Sequence, residues 1–199
     1  MHRERRQHSQ YGSGRESIGA HRYTPSVRIL VPAGALLLAC PIALAAYREG
    51  PLPNMAGGFG DADCHSCHFD KPLNAPGGHV ALDVPATYTP GQTYPLTVTL
   101  ERAGIERGGF EIVARFANGP AKGQQAGTWV VPQDGRLQTI PSAGDPALLF
   151  VQHTTAGTTT KTPGTIKWSM EWKAPQNAAP VQFNVAANAS NDDASPIGE

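Results

Sequence analysis

The stretch TIKWSMEWK, residues 165–173, alternates polar and apolar side chains without a break. Isoleucine, tryptophan, methionine and tryptophan occupy the even-numbered positions, and polar or charged residues occupy the odd-numbered ones. Successive side chains of a β-strand point to opposite faces, so a period of two is the signature of a strand with one buried face. The stretch therefore predicts a strand that places Trp168, Met170 and Trp172 in a core.

The same alternation recurs along the rest of the chain. It is clear in TYPLTVTL at 93–100, GFEIVARF at 109–116 and VQFNVAAN at 181–188, and weaker strand patterns fit 79–84, 127–131, 136–140 and 147–153. Turn signals such as TPGQ, ANGP and PQDG separate these segments. About eight short strands without a helical pattern predict an all-β fold, an antiparallel β-sandwich. Antiparallel sheets tolerate one solvated face, so Glu111 and Arg115 are expected to face water.

Composition and charge agree with a small exported β-protein. The 199 residues include 22 glycines and 18 prolines, which favours strands and turns over long helices. Residues 1–28 contain six arginines against two glutamates, a net charge of +4, and because the whole chain is neutral the remainder carries −4. A mildly acidic body without a basic stripe argues against nucleic-acid binding, which needs positive charge facing the phosphates.

An uncharged apolar run, ILVPAGALLLACPIALAA at 29–46, follows the basic start. Together with the small-x-small pattern ALA at 43–45 it predicts an export signal, with residues 1–45 as a basic extension and signal cleaved after about Ala45. Two alternatives stay open: lipidation at Cys40, or a retained N-terminal membrane anchor. Each of them places the body outside the cytoplasm, in the periplasm or at the cell surface.

The segment DADCHSCHFDKP, residues 61–72, contains a C-x-x-C-H motif, the pattern of covalent c-type haem attachment. Two thiols separated by two residues reach both vinyl groups of one porphyrin, and the next histidine is directed at the iron. The motif predicts one covalently attached haem c, with Cys64 and Cys67 as thioethers and His68 as the proximal iron ligand. It lies in residues 46–77, an irregular segment rich in glycine and proline.

Three other uses of the cysteine pair compete with haem. A zinc site normally needs a second ligand pair far along the chain, and no further cysteine follows Cys67. A thioredoxin-type motif opens a helix in a βαβ setting, which the strand pattern does not offer. A structural disulfide suits an exported protein, but so short a loop would stabilise it little.

The order of the strand motifs resembles the bacterial Reeler-domain family, also called choice-of-anchor V proteins. The matching segments are PATYTPGQTYPLTVTL, GGFEIVARF, GQQAGTW, VQHTTAGT, IKWSMEWKAP and VQFNVAANASND, over approximately residues 60–195. The resemblance implies an extracytoplasmic, immunoglobulin-like sandwich over 78–199, in members that often carry C-x-x-C-H before the first strand. Many relatives continue to a C-terminal anchor, and no such segment follows SPIGE here, so attachment to the cell is expected to come from the N-terminus.

A segment as short as 46–77 cannot enclose a haem alone, so the sandwich is expected to supply the other wall and the sixth iron ligand. The candidates after the leader are Met55, His65, His79, His153 and Met170. Met170 fits core packing better, and His65 lies within the attachment turn. His153 matches the histidine of the family's H-T element and is the expected distal ligand.

These observations predict an exported mono-haem c-type cytochrome-like protein that transfers single electrons to an unidentified redox partner protein. Two alternatives belong to other functional classes. One is a haem-based sensor or peroxidase-like enzyme with an open iron, and the other is a cell-surface binding or adhesion module with a structural haem. No catalytic triad, phosphate-binding loop or pair of catalytic carboxylates is evident.

Overall fold

The computed structural model describes residues 48–69 and 71–192. Eight strands follow a short 3-10 turn at Cys64–Ser66. They are β1 (Gly78–Asp83), β2 (Thr93–Arg102), β3 (Arg107–Phe116), β4 (Thr128–Val130), β5 (Leu137–Pro141), β6 (Leu149–His153), β7 (Thr165–Lys173) and β8 (Val181–Ser190). The predicted signal at 1–45 and the C-terminal residues after Asp192 lie outside the described residues.

The strands form two four-stranded antiparallel sheets. Sheet A has the order β1-β2-β7-β4, and sheet B has the order β5-β6-β3-β8. The inward faces of both sheets share one hydrophobic core. This architecture confirms the all-β, antiparallel sandwich that the alternating sequence predicts.

Strand β7 carries the centre of that core. Its burial alternates as its sequence does, and Trp168, Met170 and Trp172 are no more than 2% exposed. The two indole N–H groups donate to the carbonyls of Gly157 and Ala126, each at 2.8 Å, so their polar edges are satisfied inside the core. Met170 is a packing residue, as its position between the tryptophans predicts.

The outer face of sheet B differs from the expectation of a solvated face. Glu111 and Arg115 on β3 are 0% and 3% exposed. Residues 48–69, which we call the cap segment, provide their partners: Asp61 pairs with Arg115, and the N–H groups of Asn54 and Met55 donate to the Glu111 carboxylate at 3.1 and 3.3 Å. Polar residues at alternating positions therefore face a second layer of protein here and not water.

Aromatic rings complete the contact between the cap segment and sheet B. The Arg115 guanidinium lies 5.3 Å from the ring centroid of Phe59 and 5.5 Å from that of Phe150. Gly58, with φ +74, approaches Asn184 so closely that a Cβ there would lie 2.2 Å from the amide nitrogen. A glycine is thus required both for the left-handed backbone and for the close contact.

The described part of the chain contains no helix long and apolar enough to cross a membrane. The apolar run at 29–46, which predicts the export signal or anchor, lies outside that part.

Removing Arg115 is expected to destabilise the protein strongly, because it leaves the Asp61 carboxylate largely buried without its cation. Breaking a buried pair costs about 3–5 kcal/mol, so the free energy of unfolding of Arg115→Ala in urea should fall by that order. The control is Arg48→Ala, which removes an exposed partner of Asp192 and should cost less than about 1 kcal/mol. Equal losses in the two variants would show that the cap segment is not held by buried charge.

Candidate functional site

The C-x-x-C-H motif forms a single tight turn. The Asp63 side chain accepts a hydrogen bond from the N–H of His65 at 2.9 Å and so caps the start of the turn. The N–H groups of Cys67 and His68 both donate to the carbonyl of Cys64, at 3.2 and 2.9 Å. Cys64, Cys67 and His68 thus belong to one hydrogen-bonded turn.

This turn borders a cavity of about 340 Å³. Cys64 and His68 line it from the turn, the loop 71–75 lines it along one rim, and β1, β2 and β8 line it from the sandwich. Strands β1 and β8 each end the order of their sheet. The cavity therefore lies where an edge of sheet A meets an edge of sheet B, and the sandwich supplies a wall of the site.

The lining of the cavity combines apolar surface with cations. Leu73 and Val80 are 56% and 36% exposed, and Leu100, opposite Val80 in the pairing of β1 with β2, is buried. Lys71 and Arg102 also face the cavity. Haem c needs two thiols on one turn, an imidazole beside them, apolar surface for the porphyrin and cations for its propionates. The residues present fit that requirement.

The electrostatics of Cys64 disfavour a thiol–disulfide redox role. Burial, together with smaller contributions from the nearby carboxyl groups of Asp63 and Glu111, raises the pKa of the Cys64 thiol to about 12. Redox-active C-x-x-C motifs work through a thiolate whose pKa is lowered. The thiol here is protonated at neutral pH, which does not suit that chemistry.

His153, the expected distal ligand, does not line the cavity with Cys64 and His68. It ends β6, is 6% exposed, and its Nδ1 accepts a hydrogen bond from the N–H of Phe110 at 3.0 Å. The ring lies directly against Gly109, where an added Cβ would come within 2.5 Å of Cε1. The structure thus brings Cys64 and His68 to the cavity, whereas Cys67 does not line it and His153 is enclosed elsewhere.

The other candidate ligands differ in whether they line the cavity. Met55 and Met170 do not line the cavity, and His65 lines it from within the attachment turn. His79, the second residue of β1, lines it from the sandwich. The sequence places His79 on the polar face of a weak strand, and its periodicity does not show that β1 lies beside the turn.

Within residues 48–69 and 71–192, no three histidine, cysteine, aspartate or glutamate side chains are grouped closely enough to hold a metal ion. The four metal-capable residues of CHSCH therefore do not converge on one point.

The chain was compared with family models, curated proteins and solved structures. No protein-family model matches the chain, and no curated protein matches it. A solved structure, the reeler domain of human F-spondin (fragment 1), is similar with 20% identity and a TM-score of 0.38, over 58% of this chain and 76% of that one. The assignment of the fold rests on the strand order and register described above.

The pH dependence of protein stability tests the buried contact between Glu111 and the cap segment. Burial raises the pKa of the Glu111 carboxyl from 4.5 to about 8, although the N–H groups of Met55 and Asn54 and the nearby Arg115 lower it. The folded protein then keeps a proton that the unfolded chain releases above about pH 4.5. This contribution to stability is complete below that pH and is lost as the pH rises to about 8.

We expect the Glu111→Gln variant not to lose this stability as the pH rises, because its amide stays neutral. One pKa unit corresponds to about 1.36 kcal/mol, so the advantage of the variant over the wild type should grow by several kcal/mol between about pH 5 and about pH 9. Urea unfolding at both pH values measures it, with Glu171→Gln at an exposed position of β7 as control. If the free energy of unfolding depended on pH equally in the wild type and in Glu111→Gln, the raised pKa of a buried Glu111 carboxyl would be wrong.

Proposed function

We propose that residues 64–68 attach one haem c and that the protein is an exported, mono-haem c-type cytochrome-like protein of the Reeler-domain family. The observation that carries the proposal is that the C-x-x-C-H turn opens onto a cavity walled by both sheets. The order of the Reeler-like strand motifs and the leader at 1–45 support the family and the export. Attachment of haem c takes place outside the cytoplasm, which agrees with such a leader.

Each part of the cavity has a separate role in this proposal. Cys64 and Cys67 hold the cofactor through thioethers, and His68 is the proximal ligand of its iron. Leu73, Val80 and Leu100 contact the porphyrin and exclude water from it. Apolar surroundings and the axial ligands together set the reduction potential.

Lys71 and Arg102 are placed to pair with the carboxylates of the cofactor. Haem supplies a one-electron couple between ferric and ferrous iron, and the chain holds its edge near the surface for a redox partner protein. No substrate chemistry is needed for this role.

Covalent attachment is tested by maturation in a host with c-type haem machinery. The wild type should keep its Soret absorption after acid–acetone extraction, whereas the Cys64→Ala, Cys67→Ala double variant should lose it. Ser66→Ala, an exposed change between the two cysteines, should keep it. A wild type without extraction-resistant haem would contradict the proposal.

Electron transfer is tested by a redox titration of the loaded protein. We expect a single reversible one-electron wave and no binding of carbon monoxide by the ferrous form. A ferrous form that binds carbon monoxide, with turnover of peroxide, would favour the sensor or peroxidase-like alternative. A covalent haem that cannot be cycled reversibly would favour the binding or adhesion module.

A further inference from the structure

Four histidine and methionine side chains of the described residues lie outside the attachment turn: Met55, His79, His153 and Met170. Of these, His79 alone lines the cavity that Cys64 and His68 border. We infer that His79 is the second axial ligand of the haem iron, in the place that sequence reasoning gives to His153. The inference rests on the proposed function and adds the ligand that completes the site.

The course of the chain brings His68 and His79 to the same cavity. His68 follows the turn, loop 71–75 lines the rim, and the chain then enters β1 at Gly78. Gly77 has φ +95, a left-handed conformation that glycine adopts readily, and it redirects the chain just before the strand. His68 thus precedes, and His79 follows, the loop that lines the rim of the cavity.

Strand β1 fixes the position of His79. The strand pairs with β2 over its whole length, and His79 lies opposite Glu101. Because β1 is an edge of sheet A, the backbone of His79 is held on one side while its exposed side chain has room to turn toward the cavity. A ligand on a paired strand is better positioned than one on a free loop.

The environments of His79 and His153 favour different roles. In the described part of the chain no hydrogen bond or ion pair holds the His79 side chain, so its imidazole is available to iron. His153, in contrast, accepts the Phe110 N–H and fills the space beside Gly109. Moving it to a ligand would leave a buried N–H unsatisfied and a void in the core, and both are costly. His153 is a structural residue.

Ligation by two histidines has a measurable consequence. Methionine as an axial ligand raises the reduction potential of a c-type haem relative to histidine. The loaded protein should therefore have a low-spin ferric spectrum and a lower potential than a His79→Met variant.

The decisive experiment compares His79→Ala with His65→Ala, which changes another histidine of the same cavity. Each protein is matured in the c-type haem host and its ferric spectrum, carbon monoxide binding and bound haem are measured. We expect His79→Ala to keep covalent haem, turn high-spin and bind carbon monoxide, and His65→Ala and His153→Gln to stay low-spin. His79→Met should return to low spin at a raised potential.

Three outcomes would overturn the inference. The first is a His79→Ala protein that stays low-spin, and the second is a His153→Gln protein that turns high-spin. The third is a wild type that is already high-spin and binds carbon monoxide. In the first two outcomes the covalent haem is still present and the proposed function stands. The third also leaves the covalent attachment intact, but together with turnover of peroxide it would favour the sensor or peroxidase-like alternative. Absence of covalent haem from the wild type would instead overturn both.

Discussion

The position of the C-x-x-C-H turn depends on Glu111 and Arg115, two polar side chains buried on strand β3. Residues 49–63, the part of the cap segment before the turn, contain no strand or helix. They are held by the pair between Asp61 and Arg115 and by hydrogen bonds from the N–H groups of Asn54 and Met55 to Glu111. Charges taken out of water need their partners, so the segment cannot lift from sheet B without leaving them unpaired. This contact therefore holds the turn at 64–68 beside the sandwich.

A shared site follows from that arrangement. The cap segment is too small to enclose a porphyrin, and neither sheet alone carries the attachment motif. Where the edge strands β1 and β8 meet, the two sheets leave a cavity with apolar and cationic residues, and the turn borders it with Cys64 and His68. Under the proposed function, the β-sandwich would enclose the haem as helices do in an independent cytochrome c domain.

The sequence predicts local features well and long-range contacts less well. The alternation in β7 gives its buried face residue by residue, and the C-x-x-C-H spacing identifies the turn, because both depend on neighbours a few positions apart. The same alternation marks Glu111 and Arg115 as polar, but it cannot show that residues some fifty positions earlier bury them. The choice between His79 and His153 as the second iron ligand likewise depends on how loop 71–75 folds. The alternation of polar and apolar residues does not predict that.

The most direct test of this account is a crystal structure of the haem-loaded protein. We predict a porphyrin seated in the cavity against Val80, Leu100 and the end of β8, joined to the sulfur atoms of Cys64 and Cys67, with its iron bound by His68. A disulfide between Cys64 and Cys67, or a haem turned away from strands β1 and β8 toward solvent, would contradict it.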